Sequence, residues 1–118
     1  MGVISPVGNT VESFWNALIQ GKSGIDTITR FDASALKTRI AGEVKDFHPE
    51  DVIDPHEVRR LDLFSQFAIC SATQAFAQSG ISMDNEDPFR VGVIYGSGIG
   101  GINVLEEQVG VYLSKGPG

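Results

Sequence analysis

The chain of 118 residues carries 15 acidic against 9 basic side chains, a formal net charge of −6, and 42% hydrophobic residues. That is apolar material enough for one modest core, whereas the negative balance opposes nonspecific nucleic-acid binding, which draws on clustered Lys and Arg. A single cysteine excludes an intrachain disulfide framework and fits a reducing, cytoplasmic setting, no apolar run approaches the roughly 18 to 20 residues of a membrane span, and no basic-apolar-small leader opens the sequence.

Asn9 or Thr10 caps a first helix over 11–20, where Val11, Phe14, Trp15, Leu18 and Ile19 recur at helical spacing and predict a core-facing stripe; Gly21 stops it. Residues 38–44 have β character around an internal Gly42. Asp54-Pro55 then supplies an N-cap followed by proline at the first helical position, a strong helix start. A longer helix over 62–78 carries Leu63, Phe64, Phe67, Ile69, Cys70, Ala72, Ala75 and Phe76 on nearly every face, which predicts burial on most sides; Ser79-Gly80 ends it. Asp84, Glu86 and Asp87 read as a solvated turn closed by Pro88, because the alternating oxygen ligands of a calcium loop are absent. Val91 to Tyr95 reads as an apolar strand running into glycines and then a helix-like segment. Alternating α and β elements without repeat or linker predict an α/β layered fold, with helices on both faces of a largely parallel sheet.

The glycine run Gly96-Ser-Gly-Ile-Gly-Gly101 admits two explanations. Gly96, Gly98 and Gly101 fit G-x-G-x-x-G, so a nucleotide loop is one. Glycine also lets a backbone pass close beneath an acyl-substrate pocket, and that is the other. The Rossmann fingerprint normally follows the first strand of its unit and needs an acidic residue about 20 residues further on a second strand, and the sequence stops at Gly118 before such an acid could appear. Cys70 sits mid-helix between Ile69 and Ser71, the place of a buried structural thiol rather than a nucleophile. His48 has no Cys or His at metal-ligand spacing, so no metal site is expected. His56 lies three and four residues before Arg59 and Arg60, which gathers the three on one surface; from spacing alone this is a solvated face or an intrachain ion-pair site.

Met1-Gly-Val-Ile-Ser-Pro-Val-Gly-Asn9, Gly21-Lys-Ser-Gly-Ile25, Ile28-Thr-Arg-Phe-Asp32, Ala41-Gly-Glu-Val-Lys-Asp-Phe47, Arg59-Arg-Leu-Asp62 and Gly92-Val-Ile-Tyr-Gly-Ser-Gly-Ile-Gly-Gly101 follow one another in this order. Together they closely resemble the N-terminal part of the β-ketoacyl-acyl-carrier-protein synthase II family, the condensing enzymes of type II fatty acid synthesis. The resemblance implies a partial thiolase-like layered αβαβα fold, N-terminal portion only, with residues 1–118 forming an incomplete N-terminal domain. It implies that His56, Arg59 and Arg60 belong to a docking patch for acyl carrier protein, with His56 standing where Lys or Arg is commoner. It further implies that Gly98, Ile99 and Gly100 line the acyl pocket, Ile99 acting as a gate for chain length.

In that family an apolar strand precedes the position of Met1, and the nucleophilic Cys and paired His lie in segments past Gly118. The expectation is therefore a fragment with no catalytic residue of its own and no condensing activity alone. The parent enzyme implied is an acyltransferase using acyl and malonyl thioesters, without organic cofactor, metal, nucleic acid or membrane, as a cytoplasmic homodimer. A small nucleotide-binding module using Gly96 to Gly101, and a non-catalytic carrier-binding homologue, are the alternatives.

Overall fold

The computed structural model describes residues 1–117. Helix α1, Val11–Ile19, begins where the sequence predicts. Thr10 accepts from the Ser13 amide at 3.1 Å while Ser13 Oγ accepts from the Thr10 amide at 3.1 Å, so the reciprocal cap satisfies two of the amides that a helix start leaves open. Its apolar stripe, however, is not core. Only Ala17 is buried in this helix, and Trp15, Leu18 and Ile19 are exposed, because no described element covers that face.

The β character of residues 38–44 is realised as β2, Ile40–Gly42, paired with the short β1, Ile25–Thr27. The pairing is antiparallel, with Ile25 opposite Gly42, Asp26 opposite Ala41 and Thr27 opposite Ile40. This corrects the expected parallel sheet: the sheet among the described residues is this two-stranded ribbon. Side chains staple it. Lys45 Nζ lies 2.8 Å from Asp26 Oδ2, and Glu43 accepts from Thr29 Oγ1 at 2.7 Å, the Thr29 amide at 3.1 Å and the Arg30 amide at 3.2 Å.

The Thr29 hydroxyl, with help from the Arg30 and Thr29 amides, holds the Glu43 carboxyl below its ordinary value of 4.5. A carboxyl depressed on folding contributes stability above its unfolded pKa and loses it as pH falls through the folded value. Acidification below the ordinary value of 4.5 should therefore loosen this clasp. Hydrogen exchange at the Thr29 and Arg30 amides, corrected for intrinsic rate, should accelerate there in the native sequence and be flat with pH in Glu43→Gln.

Helix α2, Pro55–Val58, follows the Asp54 cap, whose Oδ1 accepts from the His56 amide at 2.8 Å. Helix α3, Leu63–Ser79, is the axis on which the rest is assembled. The N-terminal segment lies across it. Gln74 accepts from the Val3 amide at 3.1 Å and donates to the Asn9 carbonyl at 2.7 Å, and a Cβ on Gly2 would overlap the Ser71 carbonyl. On its other side the segment touches the ribbon, since a Cβ on Gly24 would stand 2.8 Å from Pro6. Phe47 meets Phe67 edge to face at 4.8 Å, a geometry aromatic quadrupoles favour.

α3 is less covered than its composition predicts. Gln66 and Cys70 are buried, but Ile69 and Phe76 face outward. The expected strand at Val91 to Tyr95 is also corrected: the segment is irregular, and Ile94 is 100% exposed. A strand exists only by pairing, and no described strand lies beside it. Asp87 does close the acidic turn, accepting from the Phe89 amide at 3.0 Å. Helix α4, Ile102–Lys115, follows the glycines with Leu105, Tyr112 and Leu113 exposed. The radius of gyration of 17.8 Å exceeds the about 13 to 14 Å of a compact chain of this length, as an open array of partly uncovered elements requires. No helix among the described residues is long and apolar enough to cross a membrane.

Candidate functional site

Proline at the first position and the Asp54 cap start α2, and Gln66 ends it. The Gln66 amide, buried in α3, donates to the Val58 carbonyl at 3.0 Å and to the Leu61 carbonyl at 2.8 Å. Two carbonyls with no helical partner are thereby satisfied, and the basic turn is fixed to α3. His56, Arg59 and Arg60 are all exposed on this turn. Arg60 approaches Glu57 at 3.8 Å with both side chains exposed, a pair worth about 0 to 1 kcal/mol, which leaves the guanidinium free to exchange partners. Arg59 makes no ion pair among the described residues. Sequence reasoning found the arginines but missed Gln66. Its role rests on two backbone carbonyls and leaves no signal in a helix that also carries Ser65, Gln74 and Gln78.

Two residues beyond Arg60 stands Asp62, the N-cap of α3. Its carboxylate rests directly on the glycine run, so that a Cβ on Gly101 would overlap Asp62 Oδ2. Gly101 is the N-cap of α4. Ahead of it Gly100 adopts φ +80°, a backbone glycine reaches without steric cost, and its amide donates to Ser97 Oγ at 2.9 Å. Gly100 and Gly101 line an open cleft of about 220 Å³ with Asp62, Leu63, Phe64 and Phe67. Gly98 and Ile99 do not border it; Ile99 is 74% exposed. A wider cleft of about 880 Å³ opens beside it, walled by Ile28, Phe31, Val44 and Phe67 with Arg30, Glu43 and Glu106 at its rim.

The position of Asp62 bears on the nucleotide alternative. A dinucleotide loop offers the free amides at its helix start to a pyrophosphate. Here the Asp62 carboxylate lies beside Gly101 at that helix start and would repel a phosphate, and the segment before the glycines is not a strand. Anion binding at Gly96 to Gly101 is opposed on both counts.

Cys70 is 3% exposed. Burial, and secondarily the charge of Asp51, pushes its thiol above the ordinary value, the opposite of what a nucleophile needs. Alkylation by iodoacetamide near pH 8 should be at least about tenfold slower than for a free thiol and should reach parity in denaturant. Equal rates in the folded chain would contradict this placement. His48 is exposed, with Nδ1 3.3 Å from Glu50 Oε1, and no group of three His, Cys, Asp or Glu is placed to hold a metal ion among the described residues.

An N-terminal segment set against α3 on one side and the antiparallel ribbon on the other belongs to a partial α/β fold of the thiolase-like class. A solved structure, the ishigamide ketosynthase/chain length factor, superposes with a TM-score of 0.77 at 28% identity, covering 98% of this chain and 28% of that one. Residues 1–116 match the family described as beta-ketoacyl synthase, N-terminal domain, and the chain belongs to that family. Curated relatives named 3-oxoacyl-acyl-carrier-protein synthase 2 are 49% identical over 117 residues in Coxiella burnetii and 47% in Vibrio harveyi. A third, in Synechocystis, is 43% identical. The chain spans 28% of the length of each of these relatives while 99% of it is matched.

Proposed function

We propose that this chain acts as the N-terminal part of a 3-oxoacyl-acyl-carrier-protein synthase, contributing a docking surface for the carrier and one wall of the acyl pocket. Its near full-length similarity to the Coxiella burnetii synthase, 49% over 117 residues, carries this reading. The exposed His56, Arg59 and Arg60 support the docking role. Acyl carrier protein presents an acidic surface and a thioester-bearing arm, and cations facing it speed encounter and fix its orientation. The two arginines, whose guanidinium forks pair bidentately with carboxylates, carry most of the attraction.

In the complete enzyme an acyl group passes from its carrier to a cysteine thiolate. The thioester of malonyl carrier protein then loses CO2, and the resulting enolate carbon attacks the acyl-enzyme carbonyl and expels the thiolate. The products are the free thiol of the first carrier, released when its acyl group passes to the cysteine, a 3-oxoacyl carrier protein and CO2. Cys70, His48 and His56 take no part in this chemistry. Gly98, Ile99 and Gly100 border the acyl chain, with Ile99 filling or clearing its path. The working form is a cytoplasmic homodimer.

The test is a titration of a complete enzyme made by setting residues 1–118 in place of the matching 117 residues of the Coxiella burnetii relative. Saturable binding of acyl carrier protein that weakens with salt, with no binding of NAD(P) or ATP, is expected. Nucleotide binding without carrier binding would overturn the reading.

A further inference from the structure

We infer that Asp62 is a positioning residue that transmits carrier docking from the basic turn to the glycine run, so that chain-length selection at Ile99 depends on the carrier being seated. The inference rests on the docking role proposed for Arg59 and Arg60. Its basis is one juxtaposition: Asp62, the residue at the N-cap position of α3 and two residues from Arg60, lays its carboxylate against Gly101 at the start of α4.

Two helix N-termini converge there, each with the partial positive charge of unpaired amides. One half-buried carboxylate between them favours their approach; without its charge two positive ends would face each other. The contact is also close in a steric sense, because the carboxylate fills the volume where any Cβ at position 101 would stand. Displacement of the basic turn is therefore passed to Gly101 through the short Asp62 side chain, whose carboxylate lies against it. On the turn side the path is stiff, since Gln66 holds the Val58 and Leu61 carbonyls at 3.0 and 2.8 Å. On the loop side it is compliant. Gly100 and Gly98 flank Ile99, and a Cβ at Gly98 would meet nothing within 4 Å, so Ile99 can shift with little resistance.

The experiment uses the complete hybrid enzyme and compares kcat/KM over a series of acyl lengths, delivered either on acyl carrier protein or as small pantetheine thioesters. With native Asp62, the carrier-borne series should discriminate long from short chains more sharply than the small thioesters, by about fivefold or more, the lower end of ordinary coupling between sites. In Asp62→Asn the carrier-borne profile should collapse onto the small-thioester profile. A uniform loss at every length and with both carriers, or an unchanged carrier-borne profile, overturns the inference.

A second variant pair keeps the test alive if Asp62→Asn folds poorly. Gly101→Ala should impair activity, and Gly101→Ala with Asp62→Ala should retain about fivefold more than the product of the single effects, because the smaller side chain vacates the space the new methyl needs. Strict additivity contradicts the contact. Charge reversal at Arg59 and Arg60 reads docking separately. If it is effective while Asp62→Asn leaves the profile unchanged, the coupling falls and the docking role stands; if it is without effect, both fall.

Discussion

Replacing Arg59 and Arg60 together by Glu in the complete hybrid enzyme is expected to lower kcat/KM for acyl carrier protein substrates by at least about tenfold, while small pantetheine thioesters change little. Like charges brought together at an interface cost several kcal/mol, and about 1.4 kcal/mol already corresponds to a factor of ten. Both guanidinium groups are exposed, and among the described residues their one ion-pair partner, Glu57 at 3.8 Å from Arg60, binds too weakly to withdraw that side chain. The structure also explains why the fold should survive the exchange. Neither arginine side chain supports the turn, which Asp54 and Gln66 hold by hydrogen bonds to backbone. Steady-state rates with the two substrate classes, measured at low and at high salt, separate docking from folding. An equal loss for both would place the arginines in structural support instead.

Ile99→Phe carries the second large effect. In the described residues Ile99 is 74% exposed between glycines, an apolar side chain held out with nothing over it. If it borders an acyl chain, added volume displaces terminal methylenes first, and each methylene left in water forfeits about 0.8 kcal/mol. Long acyl groups should therefore lose activity by about tenfold or more relative to short ones, the equivalent of roughly two methylenes. Competition between long and short acyl substrates gives the ratio directly. Equal losses at all lengths would mean that Ile99 packs the site rather than gating it.

Local signals account for what the sequence disclosed. Thr10 with Ser13, Asp54 with Pro55, and Asp87 with Pro88 write their caps within a few residues, and each helix or turn starts where those residues stand. The order of blocks from Met1 to Gly101 carried the family, and the match over residues 1–116 bears it out. What failed depended on partners distant in sequence. Val91 to Tyr95 has strand composition, yet composition cannot supply the neighbouring strand whose hydrogen bonds define one. The stripe of α1 has core periodicity, yet periodicity cannot say what covers it. β1 is three residues long, too short to show alternation. Around the candidate site, spacing made the exposed basic turn of His56, Arg59 and Arg60 legible as a surface group, whereas the contacts of Gln66 with backbone carbonyls and of Asp62 with Gly101 leave no local pattern.

The proposed role of this chain is that of the N-terminal segment of a condensing enzyme. The direct measurement is elongation by the complete hybrid enzyme carrying residues 1–118, supplied with acyl and malonyl carrier proteins, scored by mass spectrometry of the 3-oxoacyl product and by CO2 release. Turnover within about tenfold of the Coxiella burnetii enzyme is expected, since the differences at 49% identity lie in a segment that docks and borders substrate and not in the reacting groups. A hybrid that folds and dimerises, yet forms no 3-oxoacyl product while the unmodified relative does, would contradict it.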